Sequence, residues 1–387
     1  MKKILFISSS NLSPNNYSGD TIRANNIIKV LRKKNIVDTI SFGNKNIINK
    51  ITNLDKQNIN FIFKKYNFFL RILLSVQSLI NLKPMQNGFF FSKSIKNLVN
   101  KNYKKYNTII CHLTRSSQYL PINFSGTKVL EMTDLMSNNY VQTKKHLKLY
   151  NPFYYLYLIE SFLISRYEKY CFKLFDKIIL VSKKDIVLNS KLNKKKLKFI
   201  INGIDINKKK FNFNKNNNKI IFIGNIDYLP NKDACLYFAK KILPHLNILH
   251  PNLELHIVGK ISFFNKLSFI FCKNVRLLGK INKLDNVIKN TICGISNLRI
   301  ATGIQNKILT YGSYGLPALC SLKSTQGLLS FKNNRHIITY KNNYEFINKL
   351  NLIKSSSKVA NKISKNIYLK TKDMSWDKIL KGYQAIV

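Results

Sequence analysis

Acidic side chains are scarce in this sequence: 17 Asp and Glu stand against 65 Lys and Arg in 387 residues, a formal net charge of +48. A genome biased towards AT-rich codons would produce the Asn and Lys that crowd loops such as Asn212-Phe-Asn-Lys-Asn-Asn-Asn-Lys219. That bias enriches Glu and Asp as well, so it leaves their deficit unexplained. A field this positive attracts anions: nucleic acid, an acidic membrane surface or phosphorylated substrates. No helix-turn-helix, RNA-recognition or zinc-finger signature is present, and the cations are spread through the chain rather than gathered in a stripe, which argues against a specific nucleic-acid reader. Lysines near an anionic bilayer are each worth roughly 1 kcal/mol, which favours a membrane surface. The six cysteines (Cys111, Cys171, Cys235, Cys272, Cys293, Cys320) form no Cys-x-x-Cys and no metal spacing, so buried reduced thiols in a cytosolic protein are expected. No apolar run approaches the roughly 20 residues of a membrane span. The first run, in Lys3-Ile-Leu-Phe-Ile-Ser-Ser9, is too short for a signal peptide. Any membrane contact is therefore expected to be peripheral.

Hydrophobic residues make up 45% of the chain, and its length suits two ordinary domains with two cores. Ile4 to Ile7 reads as a strand buried on both faces. A polar loop, a helix from about Thr21 to Lys34 and a strand near Val37 to Phe42 follow, the opening of a doubly wound α/β sheet with ligands at the strands' carboxyl ends. The Gly19-Asp20 loop lacks the three spaced glycines of a dinucleotide fingerprint, which weakens a dehydrogenase reading. Phe61 to Val99 is read as core helix by default, the alternative being an amphipathic surface that dips into a bilayer. Two more buried strands, Thr108–Leu113 and Lys128–Met132, end in His112 and Arg115 and in Glu131, Thr133 and Asp134, the polar groups that a cleft at a sheet's edge requires. A long helix over Tyr154–Phe175 and strands at Lys177–Ser182 and Lys198–Ile201 close the first half. The Asn/Lys tract from Asn207 to Asn218 is the obvious linker. A second strand–helix series starts at Lys219, with strands at Ile220–Asn225, Leu253–Gly259, Val275–Gly279, Cys293–Ser296, Pro317–Cys320 and about His336–Thr339. The tail ends in a helix around Ser375–Tyr383. Two α/β halves on one linker are expected to face each other across a cleft suited to a donor and an acceptor.

The stretch Leu298–Ser321 is the most informative. It reads as a loop, a short helix, a glycine stop and a buried strand, with Gly303 turning the backbone into the helix and Gly315 and Pro317 ending it. Such a helix start offers the amides of Ile304, Gln305 and Asn306, with Arg299 and Lys307 close by, to a phosphate or a sugar hydroxyl. Gly303, Asn306, Lys307 and Thr310 fall on one face, while Ile308, Leu309 and Tyr311 have their own side to bury.

Taken together, these residues resemble the retaining GT-B glycosyltransferases of family 4 (glycosyl transferases group 1), especially the exopolysaccharide branch. The similarity rests on the order and spacing of motifs along nearly the whole chain. Gly224-Asn-Ile-Asp-Tyr-Leu-Pro-Asn-Lys-Asp-Ala234 is similar to the opening of a donor domain. Thr302-Gly-Ile-Gln-Asn-Lys-Ile-Leu309 with Gly315-Leu-Pro317 is similar to the donor-sugar loop and its helix. Ser18-Gly-Asp-Thr-Ile-Arg23 resembles the first domain's glycine loop. Gln118-Tyr-Leu-Pro121, Asp134, Arg166-Tyr-Glu168, Val181-Ser182, Asn202-Gly-Ile-Asp205 and Ser375-Trp376 recur at the expected intervals.

The resemblance implies two Rossmann-like α/β domains. Residues 1–200 would bind the acceptor, 201–218 link, 219–365 bind the nucleotide-sugar, and 366–387 form a C-terminal helix crossing back to the first domain. It implies transfer of a sugar from a nucleotide-diphosphate donor to a surface polysaccharide or lipid-linked acceptor, with retention, at the cytoplasmic face of the plasma membrane. No cofactor and no metal are implied, since the nucleotide-sugar is a co-substrate and no Asp-x-Asp motif is found. Gly19, Asp20, Arg299 and Lys307 carry the catalytic roles in this reading. Asn225, Lys232, Thr302, Gly303, Ile304, Gln305, Asn306 and Thr310 bind the donor, and Arg23, His112, Arg115 and Asp134 are acceptor-side candidates.

One departure stands out: where many members have two glutamates eight positions apart, this chain has Thr302 and Thr310. A hydroxyl at the second position removes a charge-assisted bond to the ribose worth roughly 1.5–3 kcal/mol. The alternative reading is therefore a catalytically impaired GT-B scaffold in the same pathway. A basic nucleic-acid binder and a GT-B epimerase or phosphorylase are the other classes considered.

Overall fold

The computed structural model describes residues 1–13, 18–53, 56–145, 147–182, 186, 195–281, 283–301, 304–328 and 330–387. The chain divides into two compact units, Met1–Ile201 with Ile379–Val387, and Asn202–Lys378. Each unit is an α/β layer structure around one sheet.

The first unit holds β1 (Lys3–Ser8), α1 (Gly19–Arg32), β2 (Ile36–Gly43), β3 (Ile47–Asn53), β4 (Lys56–Lys64), α2 (Phe68–Ile80), α3 (Met85–Phe89), α4 (Lys93–Asn102), β5 (Thr108–His112), β6 (Thr127–Thr133), α5 (Met136–Lys144), α6 (Pro152–Leu174), β7 (Lys177–Leu180) and β8 (Leu197–Phe199). The strands lie in the order β3-β4-β2-β1-β5-β6-β7-β8. All pairings are parallel except the outermost, β3 with β4. In the central strand β1, Ile4 to Ser8 are all buried, as an apolar run flanked by two parallel neighbours requires. Helix α1 buries Ala24, Ile27, Ile28 and Leu31, an i, i+3, i+4, i+7 stripe.

The second unit holds β9 (Lys219–Ile223), α7 (Leu229–Lys241), α8 (Leu243–Leu249), β10 (Glu254–Val258), α9 (Phe263–Leu267), β11 (Val275–Gly279), α10 (Asp285–Ile288), β12 (Thr291–Ser296), α11 (Asn306–Ser313), β13 (Ala318–Ser321), α12 (Leu322–Thr325), β14 (Ile338–Tyr340), α13 (Asn343–Ser355) and α14 (Ser357–Lys372). Its sheet is wholly parallel, in the order β11-β10-β9-β12-β13-β14.

Several local expectations change. The Phe61–Val99 stretch is not one core helix; within it, α4 sends Ile95 and Val99 into the core. Phe61 to Lys64 end β4, and α2 exposes Phe68, Phe69, Ile72, Leu73 and Ile80, with Ser75 its only buried residue. The Asn/Lys tract is fastened to the second unit rather than free. The Ile204 amide donates to the Met374 carbonyl, the Lys210 amide to the Tyr314 carbonyl, and Lys354 Nζ to the carbonyls of Lys215 and Asn217. Residues 366–378 also belong to the second unit, and the return to the first begins only at Ile379. There the chain makes a 3-10 turn, Leu380–Ala385, against α1, where Gln384 Nε2 donates to the Val30 carbonyl. Five cysteines are buried, Cys272 is partly so, and none is paired with another.

That terminal turn is held by a buried charge. Arg23 of α1 and Glu131 of β6 form an ion pair of 2.8 Å, with side chains 1% and 0% exposed. The Tyr383 hydroxyl donates to the other carboxylate oxygen at 2.9 Å, and the remaining guanidinium nitrogens donate to the carbonyls of Ile201 and Ile200. Burial and the adjacent Glu131 carboxylate push the Tyr383 phenol well above its usual range, so it stays a donor. Taking away one partner of such a pair strands the other charge in a dry site, at about 3–5 kcal/mol. Glu131→Gln is therefore expected to lower the unfolding free energy by that amount in urea titrations followed by circular dichroism. A change under about 0.5 kcal/mol, the scatter of neutral surface substitutions, would show that the network carries no such weight.

Candidate functional site

In the second unit, candidate residues gather where β9 and β12 end. Helix α11 is docked on the sheet by Tyr311, fully buried, whose hydroxyl donates to the Ile295 carbonyl at 2.9 Å and accepts from the Ile223 amide at 3.1 Å. The ring lies flat over Gly294, where an added Cβ would come within 2.5 Å of it, so the helix can sit this close only over glycine. A second close approach joins the loops after β9 and β10. Gly259 has φ +145°, and a Cβ there would fall 1.8 Å from the Gly224 carbonyl oxygen. These contacts place Asn225 beside α7: its carbonyl accepts from Asn231 Nδ2, and its side chain accepts from the Asp227 amide.

The helix begins at Asn306, with Gln305 as its N-cap, so Ile304 and Gln305 precede it and are not its first-turn amides. Thr302 and Gly303 lie outside the described residues. Lys307 does not share an open face with Asn306 and Thr310; it is buried, 9% exposed. Its Nζ donates to Asn231 Oδ1 at 3.1 Å and to Gln305 Oε1 at 3.4 Å, and it lies 4.9 Å from the centre of the Phe222 ring. Among the described residues it has no carboxylate partner. Burial lowers its ammonium to about 8. An ammonium has three donors, and two amide oxygens use two of them, which leaves one for an anion.

Arg299 is arranged differently from expectation. Its guanidinium is bound through two nitrogens to the Asp233 carboxylate of α7 and stacks 4.6 Å from the Tyr237 ring centre, so its charge is already met. Thr310 donates to the Asn306 carbonyl, one turn back, and Asn306 Oδ1 accepts from Asn202 Nδ2. Lys232 lies in the first turn of α7, partly buried, its amide bonded to the Tyr228 carbonyl. Asp233 and Asn231, which position Arg299 and Lys307, sit inside the Gly224–Ala234 motif. Their neighbours in the fold are separated from them by more than sixty residues of sequence, which hid their roles.

In the first unit, Gly19 and Asp20 open α1 after Ser18, whose hydroxyl donates to Thr21 Oγ1. Asp20 accepts from the Ser10 hydroxyl. Burial pushes its pKa up, but that hydrogen bond, another from Ser18 and the nearby Arg115 charge outweigh burial and hold it below the usual carboxylate range. His112 is fully buried, stacked on Phe6 at 5.7 Å. Its Nδ1 is 3.0 Å from Ser8 Oγ, and Nε2 has no partner among the described residues. Burial lowers its pKa to about 4, so it is neutral at pH 7.

Arg115 Nε donates to Ser9 Oγ at 2.7 Å. Asp134 follows Thr133, which has φ +63°, and Leu113 after β5 has φ +70°. Non-glycine residues held in this region cost of order 1–3 kcal/mol and cluster at functional sites. Arg23 is corrected: its ion pair and carbonyl bonds make it a structural clasp, with no surface to offer an acceptor. His112 is equally without exposed surface.

An anion held at Lys307 needs the ammonium, so affinity for inorganic pyrophosphate is expected to fall as pH rises above about 8. Isothermal titration of Lys307→Gln should give weaker binding and a flatter profile over the same range. An unchanged profile in the variant would place the binding elsewhere.

Residues 217–353 match the family model described as Glycosyl transferases group 1. None of the curated proteins matches the chain by sequence. Among solved structures, Anabaena Alr3699/HepE in complex with UDP and glucose is 13% identical, with 100% of this chain and 99% of that one covered and a TM-score of 0.66. Sucrose-phosphate synthase from Thermosynechococcus elongatus is 11% identical, covering 100% and 98%, with a TM-score of 0.72. A variant of S. aureus TarM in complex with Fondaparinux, alpha-GlcNAc-glycerol and UDP is 10% identical, covering 100% and 99%, with a TM-score of 0.69. The chain therefore has the GT-B fold, and its second unit carries the glycosyl transferases group 1 match.

Proposed function

We propose that the chain is a glycosyltransferase of the retaining, family 4 type. It takes a nucleotide-diphosphate sugar at the second unit and an acceptor at the first. The observation that carries this reading is the buried, uncompensated Lys307 beside the start of α11, within the region that matches the group 1 family. Three structures of Anabaena Alr3699/HepE and one of a TarM variant hold UDP or UDP-glucose, which makes a UDP-sugar the first donor to try.

In the reaction, the bond from the anomeric carbon to the diphosphate oxygen breaks and a bond to the acceptor hydroxyl oxygen forms on the same face. The acceptor proton passes to the departing phosphate. The leaving group's new charge is met by Lys307 and the first amides of α11, without a metal ion. Arg299, tied to Asp233, acts in this reading by fixing α7 against the loop after β12. Gly19 and Asp20 keep their catalytic roles at the first unit, and Arg115 and Asp134 remain the acceptor-side groups. Asn225, Lys232, Ile304, Gln305, Asn306 and Thr310 remain those of the donor, together with Thr302 and Gly303, which lie outside the described residues.

The acceptor we have in mind is a growing surface polysaccharide or a lipid-linked saccharide, worked on from the cytoplasmic side of the plasma membrane. No helix among the described residues is long and apolar enough to cross a membrane. Support for surface attachment comes from α2, which exposes Phe68 and Phe69, and from α6, which exposes Phe153 and Phe162, on a chain of net charge +48. Sedimentation with vesicles containing anionic lipid should carry down the wild-type chain. The double substitution Phe68→Ser, Phe69→Ser should cut the bound fraction several-fold, and equal sedimentation would rule this face out.

The second reading, an impaired scaffold, is favoured by Thr310 alone. Purified protein mixed with UDP-, GDP- and dTDP-sugars should bind at least one and hydrolyse it slowly; folded protein that binds none overturns the transferase reading. Thr310→Glu restores a ribose-gripping carboxylate, and roughly tenfold or greater tightening of the nucleotide is expected from a bond of about 1.5–3 kcal/mol. Unchanged affinity would mean that the ribose does not meet this position.

A further inference from the structure

Three cations converge on one aromatic ring at the carboxyl end of the first sheet. Arg115, just past β5, lies 4.0 Å from the centre of Phe90; Lys65, just past β4, lies 4.8 Å away; and Arg71 of α2 lies 5.7 Å away. Arg71 also sits 3.6 Å from the Phe89 ring centre and donates to the Phe89 carbonyl. Each of these groups repels the others, and burial with the Arg71 and Arg115 charges brings the Lys65 ammonium down to about 8. Among the described residues none of the three has a carboxylate within ion-pair distance, and Lys65 Nζ has no hydrogen-bond partner. Asp20 is the one acid whose charge reaches Lys65 and Arg115, and it is already held by Ser10.

Cations gathered on rings whose faces carry negative potential are stabilised individually by that contact. The residual positive field remains unsatisfied, and guanidinium forks beside an ammonium are suited to a phosphoryl group. The rim of this cluster is apolar. Phe68, 66% exposed, meets Phe89 edge to face at 6.3 Å, and Phe69 beside it is 70% exposed.

The geometry points to an oxyanion subsite formed by Lys65, Arg71 and Arg115 around Phe90, which takes the phosphoryl group of an acceptor whose apolar portion lies along α2. This rests on the reading of the first unit as the acceptor side. It adds the acceptor's class: a phosphorylated or phospholipid-type molecule rather than a neutral saccharide. The Ser9–Arg115 bond ties the subsite to the loop after β1, which also bears the Asp20-bound Ser10. The phosphoryl group is therefore held next to the residues proposed to meet the acceptor hydroxyl.

The test uses the full chain and two probes, methyl phosphate and monomeric dihexanoyl phosphatidic acid, measured by isothermal titration. UDP is titrated separately as the readout of the donor side. The expected result is binding of at least one phosphate probe, weakened tenfold or more in Lys65→Gln and in Arg71→Gln, with UDP affinity unchanged. Lys307→Gln should leave the phosphate probes unaffected at this subsite while weakening UDP. Binding of methyl phosphate identifies the phosphoryl group alone as sufficient; binding of only the lipid probe shows that the α2 face contributes. Failure of both probes, or equal binding in wild type and both variants, overturns the subsite whatever UDP does. Absence of UDP binding by the wild-type chain, with its phosphate response intact, overturns the donor reading instead. Circular dichroism of each variant checks that it is folded, and Lys65→Arg, which keeps the charge, should retain most of the phosphate binding.

Discussion

The buried pair of Arg23 and Glu131 is the constraint on which the first unit's functional end depends. Glu131 lies two residues before the left-handed Thr133, and Arg23 one turn into α1 from Asp20. The pair thus fixes the end of β6 against the start of α1, the two elements that present Asp134 and Asp20. Tyr383 joins the last turn of the chain to the same carboxylate, and the guanidinium takes the carbonyls where the first unit ends. A hydrophobic substitute would fill the space but would not tie four separate segments to one point. Ion pairs of this kind contribute little net stability against well-packed apolar residues. Their value here is geometric.

The second unit solves the same problem with a neutral group. Tyr311 bridges the Ile223 amide and the Ile295 carbonyl, so the phenol reports to both β9 and β12, and α11 cannot slide without breaking one of these bonds. Lys307, four residues earlier on the helix, is consequently held against Asn231 and Phe222. A lysine placed this way pays desolvation without a carboxylate in return, an arrangement that makes sense if an anionic ligand completes it.

Most strands of both sheets were legible in the sequence because they are short apolar runs bounded by polar loops, a pattern that parallel burial imposes directly. What escaped was the β3–β4 pair, whose alternating Asn and Ile resembled loop composition. The exposure of α2 escaped as well, since an apolar helix reads the same whether it faces a core or solvent. For the site, the sequence pattern marked the helix that appears as α11 but gave no access to pairing. Asp233 and Arg299 are 66 positions apart, and Arg23 and Glu131 108, so their neutralisation depended on tertiary contacts that no local pattern encodes. Lys65 went unremarked for the same reason; only the isolated charge of Arg71 in its apolar run offered a hint.

The scarcity of acids gives these pairings their meaning. Glu160 accepts the amides of Met85 and Gln86, Glu168 the amide and hydroxyl of Ser137, and Asp38 the Ile59 amide and the Tyr106 hydroxyl. Glu131 and Asp233 are committed to arginines. With 17 carboxylates in the chain, those that are buried hold the backbone together, and few remain to neutralise cations where the strands end. Lys307 in one unit and Lys65, Arg71 and Arg115 in the other are left with positive charge that nearby side chains do not cancel. A charge-poor solvent shell cannot relieve a buried ammonium, and salt screens it less than it screens surface lysines. The composition that looked like codon bias therefore has a structural consequence: at the carboxyl ends of both sheets, buried or part-buried cations stand without a carboxylate partner among the described residues.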